Sequence, residues 1–118
     1  IIDRVLSGQP ITLAKGFGIH LSLVYVEDVV EILQKLIAIP TKFKNRTMNV
    51  CGDELTHLCE IVKIIEKLTG KTANIQITQD KAAHFTGNNA CLKEYLEGYR
   101  FIDIQSGLER VIHKMELR

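Results

Sequence analysis

The segment Leu23-Val24-Tyr25-Val26-Glu27-Asp28-Val29-Val30 constrains this chain more than any other. A β-branched and aromatic run passes, without a turn residue, into two carboxylates and a helical apolar pattern. Such a run reads as a short strand feeding straight into a helix, with the acidic pair at the positive end of the helix dipole. Further on, Met48-Asn49-Val50-Cys51-Gly52-Asp53-Glu54-Leu55-Thr56 reads as strand, tight turn and helix start. Neither segment carries chemistry, so both define a scaffold. Repeated strand-to-helix passages predict an α/β (or α+β-like) fold of short strands interleaved with about four helices.

Residues 11–14 are expected to form a strand, followed by the turn Lys15-Gly16-Phe17-Gly18. Leu21 to Val26 is the next extended stretch. The helix beginning at Glu27 is expected to turn Val29, Val30, Leu33, Leu36 and Ile37 inward and to stop at Pro40. Thr47 to Val50 reads as a strand, Gly52-Asp53 as its turn, and Thr56 as the N-cap of a helix carrying Leu58, Ile61, Ile64, Ile65 and Leu68. Gly70 is placed to end that helix in the left-handed conformation. Ala73 to Thr78 alternates as a strand with Ile75 and Ile77 on one face, and residues 79–87 form a polar loop. Asn88 or Asn89 caps a short helix with Leu92, Tyr95 and Leu96, ended by Gly98. Asp103 caps the last helix, with Leu108, Val111, Ile112 and Met115 inward. Ile2, Val5 and Leu6 recur at helical spacing until Gly8-Gln9-Pro10, as the last turns of a helix begun upstream would. The chain is therefore expected to be a fragment or a processed product.

At 118 residues with a formal net charge of +1, the chain is one domain or part of one and has no electrostatic footprint for nucleic acid. Its densest basic stretch, Lys42 to Arg46, reads as a solvated loop. Its longest apolar runs fall well short of the roughly 20 residues that span a bilayer, and no signal peptide is evident. Cys51, Cys59 and Cys91 are an odd set without framework spacing, which predicts free thiols and a cytoplasmic location. Asn45-Arg46-Thr47 matches a glycosylation acceptor, a signal with meaning only in a secreted protein.

Few residues suggest catalysis. Glu27 and Asp28 are adjacent on a helix, so their side chains point about 100° apart and do not converge; capping and dipole pairing suit them better. Cys51, His57 and Cys59 lack zinc-knuckle spacing and a fourth ligand, so no metal is expected. Cys59 and Cys91 read as helix-packing residues. Gly16-Phe17-Gly18 lacks the lysine and helix of a phosphate loop. His20 lies on the glycine-rich loop, open to a ligand. Arg100 reads as solvated.

The order Pro10-Ile11-Thr12-Leu13, glycine turn, Val24-Tyr25-Val26-Glu27-Asp28-Val29-Val30 resembles the C-terminal half of extended short-chain dehydrogenases, the NAD(P)-dependent epimerase/dehydratase family acting largely on nucleotide sugars. Met48-Asn49-Val50, with Thr56, Glu60 and Leu68-Thr69-Gly70-Lys71, is similar to the family's next block. Asn88 to Leu96 with Gly98-Tyr99 is similar to its next helix, and Gly107-Leu108 with Arg110 and Ile112 to its last. The resemblance covers nearly the whole chain. It implies that residues 1–118 are a C-terminal substrate-binding lobe. It further implies a partner N-terminal Rossmann lobe, absent here, that holds NAD or NADP and the Tyr-x-x-x-Lys pair. No glycine-rich G-x-x-G-x-x-G and no Tyr-x-x-x-Lys occur in this sequence. No catalytic or cofactor-binding residue is therefore assigned.

The same resemblance places Leu21, Tyr25, Lys81, His84 and Asn88 at the substrate pocket. It also marks two departures: Leu21 stands where the family has a phosphate-binding arginine, and Lys81 is the nearest cation to its second one. The implied function is the substrate-binding part of a nucleotide-sugar epimerase, dehydratase or reductase. A non-catalytic interaction module and a reductase lobe for a non-nucleotide substrate are the alternatives. An isolated lobe would expose an apolar face and self-associate.

Overall fold

The computed structural model describes residues 1–39 and 47–116. Pro40, the basic stretch from Lys42 and the asparagine of the Asn45 motif lie outside the described residues. The elements run α1 (Ile2–Ser7), β1 (Pro10–Ala14), β2 (His20–Leu21), α2 (Val26–Ile37), β3 (Thr56–His57), α3 (Leu58–Thr69), β4 (Asn74–Thr78), α4 (Ala90–Tyr95) and α5 (Ile104–Glu116). The architecture is mixed α/β, with short strands among five helices; the fifth is the pair of turns expected before Gly8. β1 and β4 pair in parallel, from Pro10 opposite Asn74 to Ala14 opposite Thr78. β2 and β3 pair antiparallel, His20 opposite His57 and Leu21 opposite Thr56.

Two apolar clusters hold these elements. The first gathers Val5 of α1, Ile11 and Leu13 of β1, Ile61, Val62 and Ile65 of α3, and Ile112 of α5. The period-2 burial of Ile11 and Leu13 and the helical spacing of the α3 residues are the patterns expected for a strand and helix covering one core. Gly70 ends α3 at φ 69° and donates its N–H to Glu66 O at 2.8 Å. The second cluster joins Ile32 and Leu36 of α2 to Leu92 of α4 and Tyr99 beyond it. Ile75 and Ile77 share the register of Ile11 and Leu13 but stay 37% and 64% exposed at the sheet edge.

Several expectations are corrected. α2 buries Asp28, Ile32 and Leu36, while Val30, Leu33 and Ile37 face outward at 50%, 53% and 75% exposure. Its apolar arc is broad: Leu36 points inward as expected and Val29 is half-buried, while Val30, Leu33 and Ile37 lie on the outer part of the arc. Asp28 is no dipole cap: it is 2% exposed and accepts the Tyr99 hydroxyl at 2.7 Å and the Ile102 N–H at 3.0 Å. Burial, and next the hydrogen bond to Asp28, push the Tyr99 phenol far above its ordinary range. Thr56 does not cap α3; its hydroxyl binds Glu60 Oε2 at 2.6 Å, and the cap position falls to His57. Residues 47–50 form no strand, and of Leu21 to Val26 only Leu21 is in a ladder, since α2 already begins at Val26. Asp103 does cap α5, accepting the Ser106 N–H at 2.8 Å.

Candidate functional site

A cleft of about 390 Å³ opens where the β1–β2 turn faces the segment after β4, between Lys15, Phe17, His20, Lys81 and His84. The turn is shaped by Gly18, buried at φ 78°, where an added Cβ would stand 2.8 Å from Leu58 Cβ. Only glycine allows both that backbone conformation and that approach. The opposite wall is stitched to β2: Phe85 donates its N–H to His20 O at 2.9 Å, and Ser22 donates to Phe85 O at 3.1 Å. Gly87 N–H adds a bond to Ser22 Oγ at 3.3 Å. The expected polar loop is therefore partly a short strand-like extension of β2, paired in parallel at Leu21 and Phe85.

Three histidines distant in sequence meet at this wall. His20 Nδ1 lies 2.7 Å from His84 Nδ1, and the two rings cross at a centroid distance of 4.3 Å. His57 packs on the other side of His20 at 4.1 Å and touches the Phe17 ring. Burial, with His57 and His84 beside it, holds the His20 imidazole below its ordinary range, and Glu60 opposes that shift. The Glu60 carboxyl is itself held low, first by the Thr56 hydroxyl. No sequence signal pointed to this meeting, because residues 20, 57 and 84 are joined only by the β2–β3 ladder and the Leu21–Phe85 bridge. Lys15 was likewise read only as part of a turn.

The five residues expected at the pocket do not share one site. Lys81 and His84 line the cleft. Leu21 is half-buried and packs against the first core cluster. Asn88 lines a neighbouring recess with Ser22, Gly52, Asp53 and Asn89. There Lys93 donates to Asp53 at 2.9 Å and Asn89 at 2.8 Å, which together hold the Asp53 carboxyl below its usual range. Burial, and next Asp53, raise the Cys51 thiol, so it is poorly suited to nucleophilic chemistry. Tyr25 lines a third, apolar hollow against Ile102, Gly107 and Leu108. Its hydroxyl accepts from Lys114 at 3.2 Å, and Lys114 and Arg110 both bind Glu27, at 3.1 and 2.8 Å. Among the described residues no group of three or more His, Cys, Asp or Glu side chains is arranged to hold a metal ion. No helix among them is long and apolar enough to cross a membrane.

Solved structures share the fold of this chain. UDP-glucuronic acid 4-epimerase from Bacillus cereus, in complex with UDP-glucuronic acid and NAD, aligns over 99% of this chain and 38% of its own at 16% identity, with a TM-score of 0.81. The chain has the fold of the C-terminal part of extended Rossmann-type dehydrogenases. dTDP-glucose 4,6-dehydratase from Bacillus anthracis, in complex with NAD, aligns over 99% of this chain and 38% of its own at 20% identity and TM-score 0.74. For UDP-glucose 4-epimerase from Thermus thermophilus, in complex with NAD, the figures are 98%, 38%, 22% and 0.73. The chain thus spans less than two fifths of the length of these structures. No family model and no curated protein matches it.

Proposed function

We propose that this chain is the substrate-binding portion of an NAD(P)-dependent protein acting on a nucleotide sugar as an epimerase, dehydratase or reductase. The observation that carries this reading is the alignment of essentially the whole chain onto enzymes of that kind. The cleft adds chemistry that suits a diphosphate: Lys15 and Lys81 line it together with donors from His20 and His84. Ammonium groups hold phosphate as point charges, without the fork geometry of arginine. Hydride exchange with the nicotinamide, and the acid–base pair for it, belong to the N-terminal Rossmann lobe. Calorimetry of the full-length protein with UDP and dTDP tests the reading. Micromolar binding of one of them is expected, with Lys81→Ala weakening it about tenfold through loss of a charge-assisted contact.

One observation favours a second reading. Leu21 occupies the place of a phosphate-binding arginine and is packed into the core, so it offers no charge to a ligand. A lobe for a non-nucleotide substrate predicts no binding of either nucleotide, and that result would replace the first reading.

A seat for the partner lobe along α2 is supported by an exposed apolar stripe. Val26, Val30, Leu33 and Ile37 form an outward apolar stripe along α2, each at least half exposed. The body is also thin, 50 × 37 × 19 Å, with a radius of gyration of 16.7 Å against roughly 13–14 Å for a compact chain of this length. On its own the chain is expected to self-associate through this stripe, and Leu33→Glu with Ile37→Glu to render it monomeric. Light scattering that found the unsubstituted chain already a monodisperse monomer at high concentration would remove that assignment.

A further inference from the structure

We propose that His20 and His84 form an acid-released latch that holds residues 81–84, one wall of the cleft, against β2. The inference stands on the hydrogen bonds alone and is independent of what the cleft binds. His84 Nδ1 accepts the backbone N–H of His20 at 3.2 Å and lies 2.7 Å from His20 Nδ1. An imidazole nitrogen accepts only when it carries no proton. In the closed arrangement His84 therefore keeps Nδ1 bare and its proton on Nε2, while His20 Nδ1–H points at it. A second proton on His84 turns the shared acceptor into a donor. The backbone bond from His20 is lost, and the ring-to-ring bond with it while His20 keeps its Nδ1 proton, leaving an imidazolium edge-on to a neutral imidazole with their centroids 4.3 Å apart.

The surroundings do not absorb that charge. From β3, His57 packs on His20, and its Nε2 lies 3.6 Å from Glu60 Oε1 of α3, whose other oxygen already accepts the Thr56 hydroxyl. Lys15 from the β1–β2 turn and Lys81 from the latched segment add positive charge. Glu60 is the one carboxylate acting on His20, against two histidines. The sign follows from the direction of the His20 shift. A histidine whose value is lowered in the closed state contributes stabilisation that is complete above about pH 6.5, the ordinary imidazole value. That stabilisation is lost as the pH falls from there through the lowered value. The backbone pair between His20 and Phe85 does not titrate, so it serves as the hinge about which residues 81–84 come away.

Hydrogen exchange read by mass spectrometry on the full-length protein, corrected for intrinsic exchange, tests this at about pH 7.5 and about pH 5. The peptide carrying the His20 amide should lose about tenfold in protection on acidification, the scale of the hydrogen bonds given up. Peptides of α3 should not change. In His84→Gln the difference between the two pH values should vanish, whereas in His20→Gln, whose residue-20 N–H still reaches His84, it should shrink but persist. In His113→Gln, on the exposed face of α5, it should persist. Equal protection of the unsubstituted protein at both pH values would overturn the latch. So would a fall that survives undiminished in His84→Gln. Should either variant misfold, the imidazole Cε1–H titrations of the unsubstituted protein decide. A midpoint for His20 below the ordinary imidazole value is expected, and one at or above that value would overturn the proposal.

Discussion

Replacing Asp28 with alanine is expected to lower the unfolding free energy by about 3 kcal/mol, the cost of two charge-assisted hydrogen bonds whose donors are then stranded in the interior. The Tyr99 hydroxyl and the Ile102 N–H both end on this carboxylate, one on each oxygen, and Tyr99 is itself buried. Asp28 thereby fastens α2 to the segment entering α5, so its loss should loosen the second core cluster as a unit. Asp28→Asn should cost nearly as much, because one amide oxygen replaces two acceptors and the NH₂ group faces a donor. Tyr99→Phe should be milder, about 1 kcal/mol, since it removes the hydroxyl's bond to Asp28 and its longer contact with Glu31 and leaves the Ile102 N–H bond to Asp28 intact. Urea unfolding of the three variants checks the order. A loss below about 1 kcal/mol for the alanine variant would mean the carboxylate is not the tie described.

Gly52→Ala is the second large effect, with an expected loss of about 2–3 kcal/mol from overpacking against backbone. An added Cβ would lie 2.2 Å from the Leu23 carbonyl oxygen, which also accepts the Gly52 N–H at 3.0 Å. That oxygen cannot rotate away as a side chain could. The strand-like run before α2 must separate from the turn before β3, and the recess lined by Asp53 and Asn88 widens with it. Gly98→Ala is the control: nothing lies within 4 Å of its Cβ position, and only its φ of 75° resists, at a cost of about 1–2 kcal/mol. Thermal unfolding that ranked the two glycines equally would argue against the close approach.

Much of the fold was legible because its signals are local. The α3 stripe, the Gly70 stop, the β1 strand and the Asp103 cap each arise within a few residues, and each is found in place. α2 was legible as a helix but not in its orientation. Its apolar residues fill one broad arc, with Ile32 and Leu36 toward one edge and Val30 and Ile37 toward the other, and spacing alone does not say which part of so wide an arc meets the core. Asp28 and Glu27 look alike in sequence, yet a rotation of about 100° sends one into the core and the other to Lys114 and Arg110. The candidate site was less legible than the fold. Lys81 and His84 come together, whereas Leu21, Tyr25 and Asn88 are carried to other places by contacts that span the chain. The histidine cluster depends on pairings between residues 20, 57 and 85, and no window of sequence contains them all.

The parallel pairing of β1 with β4 has a consequence for how the chain comes to be folded. Residue 10 finds its neighbour at residue 74, and no hairpin can stand in for that crossover. During synthesis, β1 must wait with an unsatisfied ladder until β2, α2, β3 and α3 have all emerged. A long-range closure of this sort is entropically late, and an unpaired strand edge invites other chains. A ribosome stalled between Gly70 and Thr78 would therefore hold a nascent chain with most of its first core present and its sheet still open. That interval is where a chaperone would matter most to this protein.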